Sequence, residues 1–156
     1  MKIDFEKIKI DIENNKYHLI GSGSGRHVYD MDNDYVIKVA KNRKGIIQNK
    51  AEEEIASKNK DTLYLAKVKA VSEDYLYLIM EKAERINSFT EVWDYYKVKN
   101  NRELFQIEDF RNIINECGLL TVDLQRKTSW GIIKGRPVII DFGFTREVKR
   151  FYLFGF

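Results

Sequence analysis

A lysine inside an apolar strand, a cluster of glutamates on the helix behind it and two aspartates flanking a short hairpin are the residues here whose types and spacing could do chemistry. Lys38 stands in the run Val36, Ile37, Lys38, Val39, where alternation sends it to the face opposite Ile37 and Val39. An ammonium turned inward needs an anionic partner, because an unpaired charge out of water costs several kcal/mol or gives up its proton. The following helix offers Glu52, Glu53 and Glu54. With its apolar side marked by Ile47, Ala51, Ile55 and Ala56, Glu52 lies nearest that side, Glu54 next and Glu53 nearly opposite, so Glu52 is the expected partner. Asp141 ends an apolar strand and precedes Phe142 and Gly143; a carboxylate fixed there is the hard oxygen ligand that phosphate-bound magnesium prefers. Asp123 precedes it, separated by a hairpin that leaves both carboxylates free to face one cleft. The loop Gly21, Ser22, Gly23, Ser24, Gly25 sits between two strands, and its amides can curl toward a phosphate where a Cβ would obstruct the approach.

The elements that must position these groups follow from periodicity and turn chemistry. Residues 17–21 and 28–31 flank the glycine loop, and Asp32, Asn33 and Asp34 turn the chain into the strand that carries Lys38. Residues 45–58 form the amphipathic helix, and residues 65–71 and 75–80 form a second hairpin around Ser72, Glu73 and Asp74. Past Asn87 strands give way to helices. Ser88 and Glu91 have the spacing of a capping box before a helix ending near Asn100. Ile107, Phe110, Ile113, Ile114 and Cys117 mark a second helix that Gly118 closes. Residues 130–133 and 138–140 form a third hairpin around Lys134 and Gly135, leading into Asp141.

Composition excludes several classes of function. With 156 residues, 44% hydrophobic and one proline, the chain is predicted to fold as a single domain over residues 1–156. Lys and Arg number 27 against 24 Asp and Glu, a net +3 spread along the whole length, which argues against a nucleic-acid partner. No apolar run approaches the roughly 18 residues of a membrane span and no signal-like segment opens the chain, which predicts a soluble, cytoplasmic protein with no membrane partner. Cys117 is the sole cysteine, and with only His18 and His27 beside it neither a disulfide nor a zinc site can be assembled.

In this order and between these elements, the residues from Gly21 to Gly143 resemble the eukaryotic-type protein kinase family. The strings GSGSGRHVYD, YVIKVAKN, GIIQNKAEEE, LIMEKAE and SWGIIKGRPVIIDFG are similar to small kinase-like proteins of bacteriophages and prophages, whose location would be a host cytoplasm. The resemblance implies a minimal α+β, bilobal kinase-like fold. Its N-lobe, about 1–83, would be an antiparallel sheet plus one helix, and its reduced, mostly helical C-lobe would span about 84–156. It implies an ATP-dependent phosphotransferase moving the γ-phosphate of Mg-ATP to a hydroxyl acceptor, protein or small molecule. Gly21, Ser22, Gly23, Ser24, Gly25 and Val28 would cover the nucleotide, Lys38 would hold its phosphates and pair with Glu52, and Asp141 would hold magnesium. Met80 would be the gatekeeper, the backbones of Glu81 and Ala83 would meet the adenine edge, and Asp123 would accept the hydroxyl proton.

The sequence also departs from the family pattern. Arg26 takes the place of the loop's third glycine, and Thr121 and Val122 replace the histidine and arginine before the catalytic aspartate. The asparagine that would be a second magnesium ligand falls at Thr128 by count, or at Ser129 if Ser129, Trp130, Gly131 is matched to the family's Asn-Trp-Gly. With so short a chain after Gly143, the resemblance implies a fold without the peptide-gripping surface. A pseudokinase-like module that binds nucleotide or a protein without turnover is therefore the alternative function. The apolar end, residues 151–156, is expected to be buried on its own domain, with a homodimer through this tail as the other outcome.

Overall fold

The computed structural model of the protein describes residues 2–154. The chain forms two units, one of Met1–Ser57 with Lys67–Lys82, the other of Lys58–Ala66 with Ala83–Phe156. The first unit begins with a helix, α1 (Phe5–Glu13), where the sequence pattern offers only alternating charged and apolar residues. Asp4 caps it, its Oδ1 accepting from the Lys7 amide at 3.2 Å. Ile8 is buried against Ile37 and Ile79 of the sheet, and Phe5 stacks on Tyr77 with ring centroids 6.1 Å apart.

Five antiparallel strands follow in the spatial order β1-β2-β3-β5-β4: β1 (His18–Ser22), β2 (Arg26–Asp30), β3 (Tyr35–Ala40), β4 (Val68–Val71) and β5 (Tyr77–Glu81). Between β3 and β4 runs helix α2 (Arg43–Lys58). Lys38 in central β3 lies opposite Val28 of β2 and Leu78 of β5, so the sheet itself gives its ammonium no charge partner in register. Ile37 and Ile79 face α1 while Lys38 faces α2, as strand alternation requires. The turn into β3 is closed by its own side chains: Asp30 Oδ1 accepts from the Asp32 amide and Asn33 Oδ1 from the Tyr35 amide, both at 2.8 Å.

The second unit holds β6 (Glu84–Arg85), α3 (Thr90–Tyr96), α4 (Asn101–Leu104), α5 (Glu108–Cys117), α6 (Thr121–Leu124), a 3-10 turn at Lys127–Ser129, β7 (Trp130–Ile133), β8 (Arg136–Ile139) and α7 (Arg146–Phe154). Strands β6, β7 and β8 form a small antiparallel sheet. The β7–β8 turn has Lys134 at φ 52° and Gly135 at φ 78°, the two positive values that a two-residue hairpin of right-handed twist demands. Phe110 and Trp130 centre the core, their ring centroids 5.6 Å apart.

Three local expectations are corrected. The first strand of the second hairpin starts at Val68, not Leu65; Leu65 instead makes a parallel bridge to Ile139. The helix after Ser88 stops at Tyr96 because Lys97 turns left-handed, and Asn100 then caps a new helix by accepting from the Glu103 amide at 2.9 Å. Helix α7 buries Val148 on one stripe and leaves Tyr152 and Leu153 exposed, the latter at 63%. The rest of the expected buried tail, the Phe154 side chain with Gly155 and Phe156, lies outside the described residues. Among the described residues no helix is long and apolar enough to cross a membrane.

Candidate active site

In the first unit β2, β3 and α2 converge on one buried carboxylate. Lys38 Nζ donates to Glu52 Oε1 at 2.6 Å, and Arg26 donates from Nη1 to the same oxygen at 2.9 Å and from Nη2 to Oε2 at 3.4 Å. Glu52 is fully buried, and Lys38 and Arg26 are 5% and 6% exposed. Glu54, one of the three helix acids, is exposed. Burial alone would push the Glu52 carboxyl upward, but the Arg26 guanidinium and the Lys38 ammonium outweigh it and hold the group down at about 2. Arg26 is the participant that sequence reasoning missed. Its position between the glycine loop and Val28 was legible; that its side chain turns inward to α2 was not.

The loop itself is folded onto the start of α2. The Gly23 amide donates to the Arg26 carbonyl at 2.9 Å, closing the tip. Three successive carbonyls are held by the β3–α2 connection: Gly23 by Lys41 Nζ at 2.6 Å, Ser24 by Asn42 Nδ2 at 2.9 Å and Gly25 by the Lys41 amide at 2.8 Å. In a trans peptide the N–H points opposite its C=O, so the amides of Ser24 and Gly25 are directed away from that connection. Ser22 Oγ lies 3.0 Å from His27 Nδ1, and Lys44 Nζ donates to Ser24 Oγ at 2.7 Å. Val28 is half-buried on β2. At the end of β5 Met80 is wholly buried, while the Glu81 amide and carboxylate are taken by Lys67, at 2.9 and 2.8 Å.

In the second unit Asp123 is half-buried on α6 and Asp141 is exposed, just past β8. Ser129 ties their backbones together. Its Oγ donates to the Asp123 carbonyl at 2.7 Å and its own carbonyl accepts from the Ile140 amide at 2.8 Å. Ser129 is 3% exposed, whereas Thr128 is exposed. Replacing Ser129 with alanine is expected to lower stability by about 1 kcal/mol, the worth of one hydrogen bond to a carbonyl that keeps its second donor from the Arg126 amide. Urea unfolding of the two chains measures it. Ala83 lies in this unit, so close to Gly131 that a Cβ there would come 2.5 Å from its own. Among the described residues no three His, Cys, Asp or Glu side chains cluster as a metal site would need. The exposed Asp141 carboxylate fits a hard cation as one oxygen ligand among several.

These elements define a mixed α+β fold of the protein-kinase-like kind, with an antiparallel sheet first and helices after it. Solved structures share it: APH(2'')-IIa in a ternary complex with streptomycin and ATP, at 18% identity and TM-score 0.50 over 92% of this chain and 71% of that one; APH(2'')-IIa with gentamicin, at 18% and 0.51 over the same shares; and the aminoglycoside phosphotransferase APH(2'')-Ib with ADP, at 18% and 0.50 over 89% and 69%. No family model and no curated protein matches the chain.

Proposed function

We propose that this protein is an ATP-dependent phosphotransferase that moves the γ-phosphoryl group of ATP to a hydroxyl acceptor. The observation that carries the reading is the buried Lys38–Glu52 pair beside a glycine loop, in a fold whose neighbours were solved with ATP and ADP. Lys38 contributes an ammonium that Glu52 orients toward the nucleotide's phosphates, and the amides of Ser24 and Gly25 join it there. The backbones of Glu81 and Ala83 meet the adenine edge beside Met80. Asp123 takes the proton of the acceptor hydroxyl as its oxygen bonds to the γ-phosphorus and the bond to ADP breaks. Asp141 would hold magnesium, which when bound neutralises phosphate charge. The acceptor is a protein or a small hydroxyl compound; the neighbours' complexes with streptomycin and gentamicin are reason to test the small compounds first.

Thermal unfolding with and without 1 mM Mg-ATP tests the nucleotide. A site with a dissociation constant of about 10 μM adds roughly 2.7 kcal/mol, and the melting temperature is expected to rise by about 5–10 °C. The rise is expected to shrink with magnesium omitted or with Asp141→Asn. No shift at millimolar Mg-ATP would end the case for ATP as ligand. A shift without turnover of any hydroxyl would favour a nucleotide-binding module, the reading to which Thr121 and Val122 before Asp123 lend support.

A further inference from the structure

Arg26 stands where β2 leaves the glycine loop, one residue past Gly25. Its guanidinium is buried and bonds α2 three times: Nη1 to Glu52 Oε1 at 2.9 Å and to Asn49 Oδ1 at 3.0 Å, Nη2 to Glu52 Oε2 at 3.4 Å. Asn49 is wholly buried one turn before Glu52, and its Nδ2 passes the link on to the Tyr75 carbonyl at 2.8 Å. A second, independent contact joins the same two elements. A Cβ on Gly45 in the first turn of α2 would come 2.0 Å from the Gly25 carbonyl oxygen, and one on Gly25 would come 2.3 Å from Gln48 Oε1. At Gly25 and Gly45 the loop and helix backbones therefore touch directly, with the Gln48 side chain packed beside them.

We propose that Arg26 is a positioning residue that couples the glycine loop to α2 through Glu52 and Asn49, so that the loop and the Lys38–Glu52 pair hold one conformation together. A lysine could carry the charge, but only the planar fork reaches both Glu52 oxygens while one of its nitrogens also serves Asn49. Because Glu52 has two cations from two strands, it stays neutralised by Arg26 when phosphates draw on Lys38. The helix then keeps its place with no further charge. This catalytic consequence rests on the phosphotransferase reading; the mechanical coupling does not.

Amide hydrogen exchange on the full chain tests the coupling with no nucleotide present. In Arg26→Met the Gly23 and Lys41 amides and those of the α2 turn around Asn49 are expected to exchange at least about tenfold faster, together, while β7 and β8 are unchanged. In Lys38→Met the Gly23 and Lys41 amides are expected to stay within about twofold of the parent, because Arg26 still holds Glu52. Arg26→Lys keeps the charge and loses the fork, so it should fold and show the same pattern more weakly; it decides the matter if Arg26→Met does not fold. Faster exchange in α2 alone, or an equal rise in both units, would overturn the coupling. In chains that turn over ATP, Arg26→Lys is expected to raise KM for ATP more than about tenfold with kcat within about threefold, whereas a fall in kcat alone would overturn the positioning role. A parent chain that neither binds nor uses ATP would remove the proposed function and leave the exchange result to decide the coupling.

Discussion

Glu52→Leu is expected to make the first unit about 3–5 kcal/mol easier to unfold, and Lys38→Met distinctly less. Leucine removes the carboxylate that both Lys38 and Arg26 bond, leaving two cations at 5% and 6% exposure without their shared anion, while Lys38→Met leaves Glu52 with the guanidinium. Urea midpoints of the three chains measure the ranking, and an equal loss in both variants would show that Arg26 does not hold the carboxylate by itself. The pH dependence has a definite sign. The Glu52 carboxyl lies at about 2 in the fold against an ordinary 4.5, so its contribution is complete above about 4.5 and is lost as pH falls toward 2. The gap between parent and Glu52→Leu is therefore expected to narrow through that window on acidification and to be constant above it.

Asp123→Asn is expected to slow phosphoryl transfer by about 100- to 10,000-fold while leaving Mg-ATP affinity within about twofold. Asparagine keeps the shape and the backbone that Ser129 Oγ and the Arg126 amide fix, so the turn survives. What it lacks is a basic oxygen for the acceptor's proton. Single-turnover transfer from labelled ATP, to water or to a panel of hydroxyl compounds, gives the rate, and calorimetry gives the affinity. Equal rates in the two chains would remove Asp123 from the chemistry. Lost affinity would place it on the nucleotide instead.

What the sequence made legible was whatever periodicity and local chemistry decide. Lys38 had to oppose Ile37 and Val39, Glu52 was the acid nearest the apolar side of its helix, and Gly118 takes the left-handed C-cap at φ 67°. Helix α1 was hidden because Ile8, Ile10 and Ile12 alternate with charges as a strand would. Only Phe5, Ile8 and Ile12 form its inward stripe, and Ile10 is 55% exposed. Arg26 was hidden for a different reason. A charged residue beside a flexible loop reads as solvated, and only the pairing of β2 with β3 brings it over α2, a long-range contact that no local pattern encodes. The terminal aromatic run misled because composition says nothing of which side a helix turns inward.

The path of the chain sets an order of assembly. Between α2 and β4 the segment Lys58–Ala66 belongs to the second unit, and its partners come much later: the Leu65 bridge to Ile139, the Ala66 amide on the Ile139 carbonyl at 2.9 Å, and Arg136 Nε on the Leu63 carbonyl at 2.9 Å. During synthesis the five-stranded sheet can close once residue 82 has emerged, but Leu65 and Ala66, 4% and 1% exposed in the fold, lack their backbone partner until residue 139 is made. One cut can therefore free neither unit, and a gene fragment stopping before β8 would display an apolar strip for chaperones or for neighbouring nascent chains.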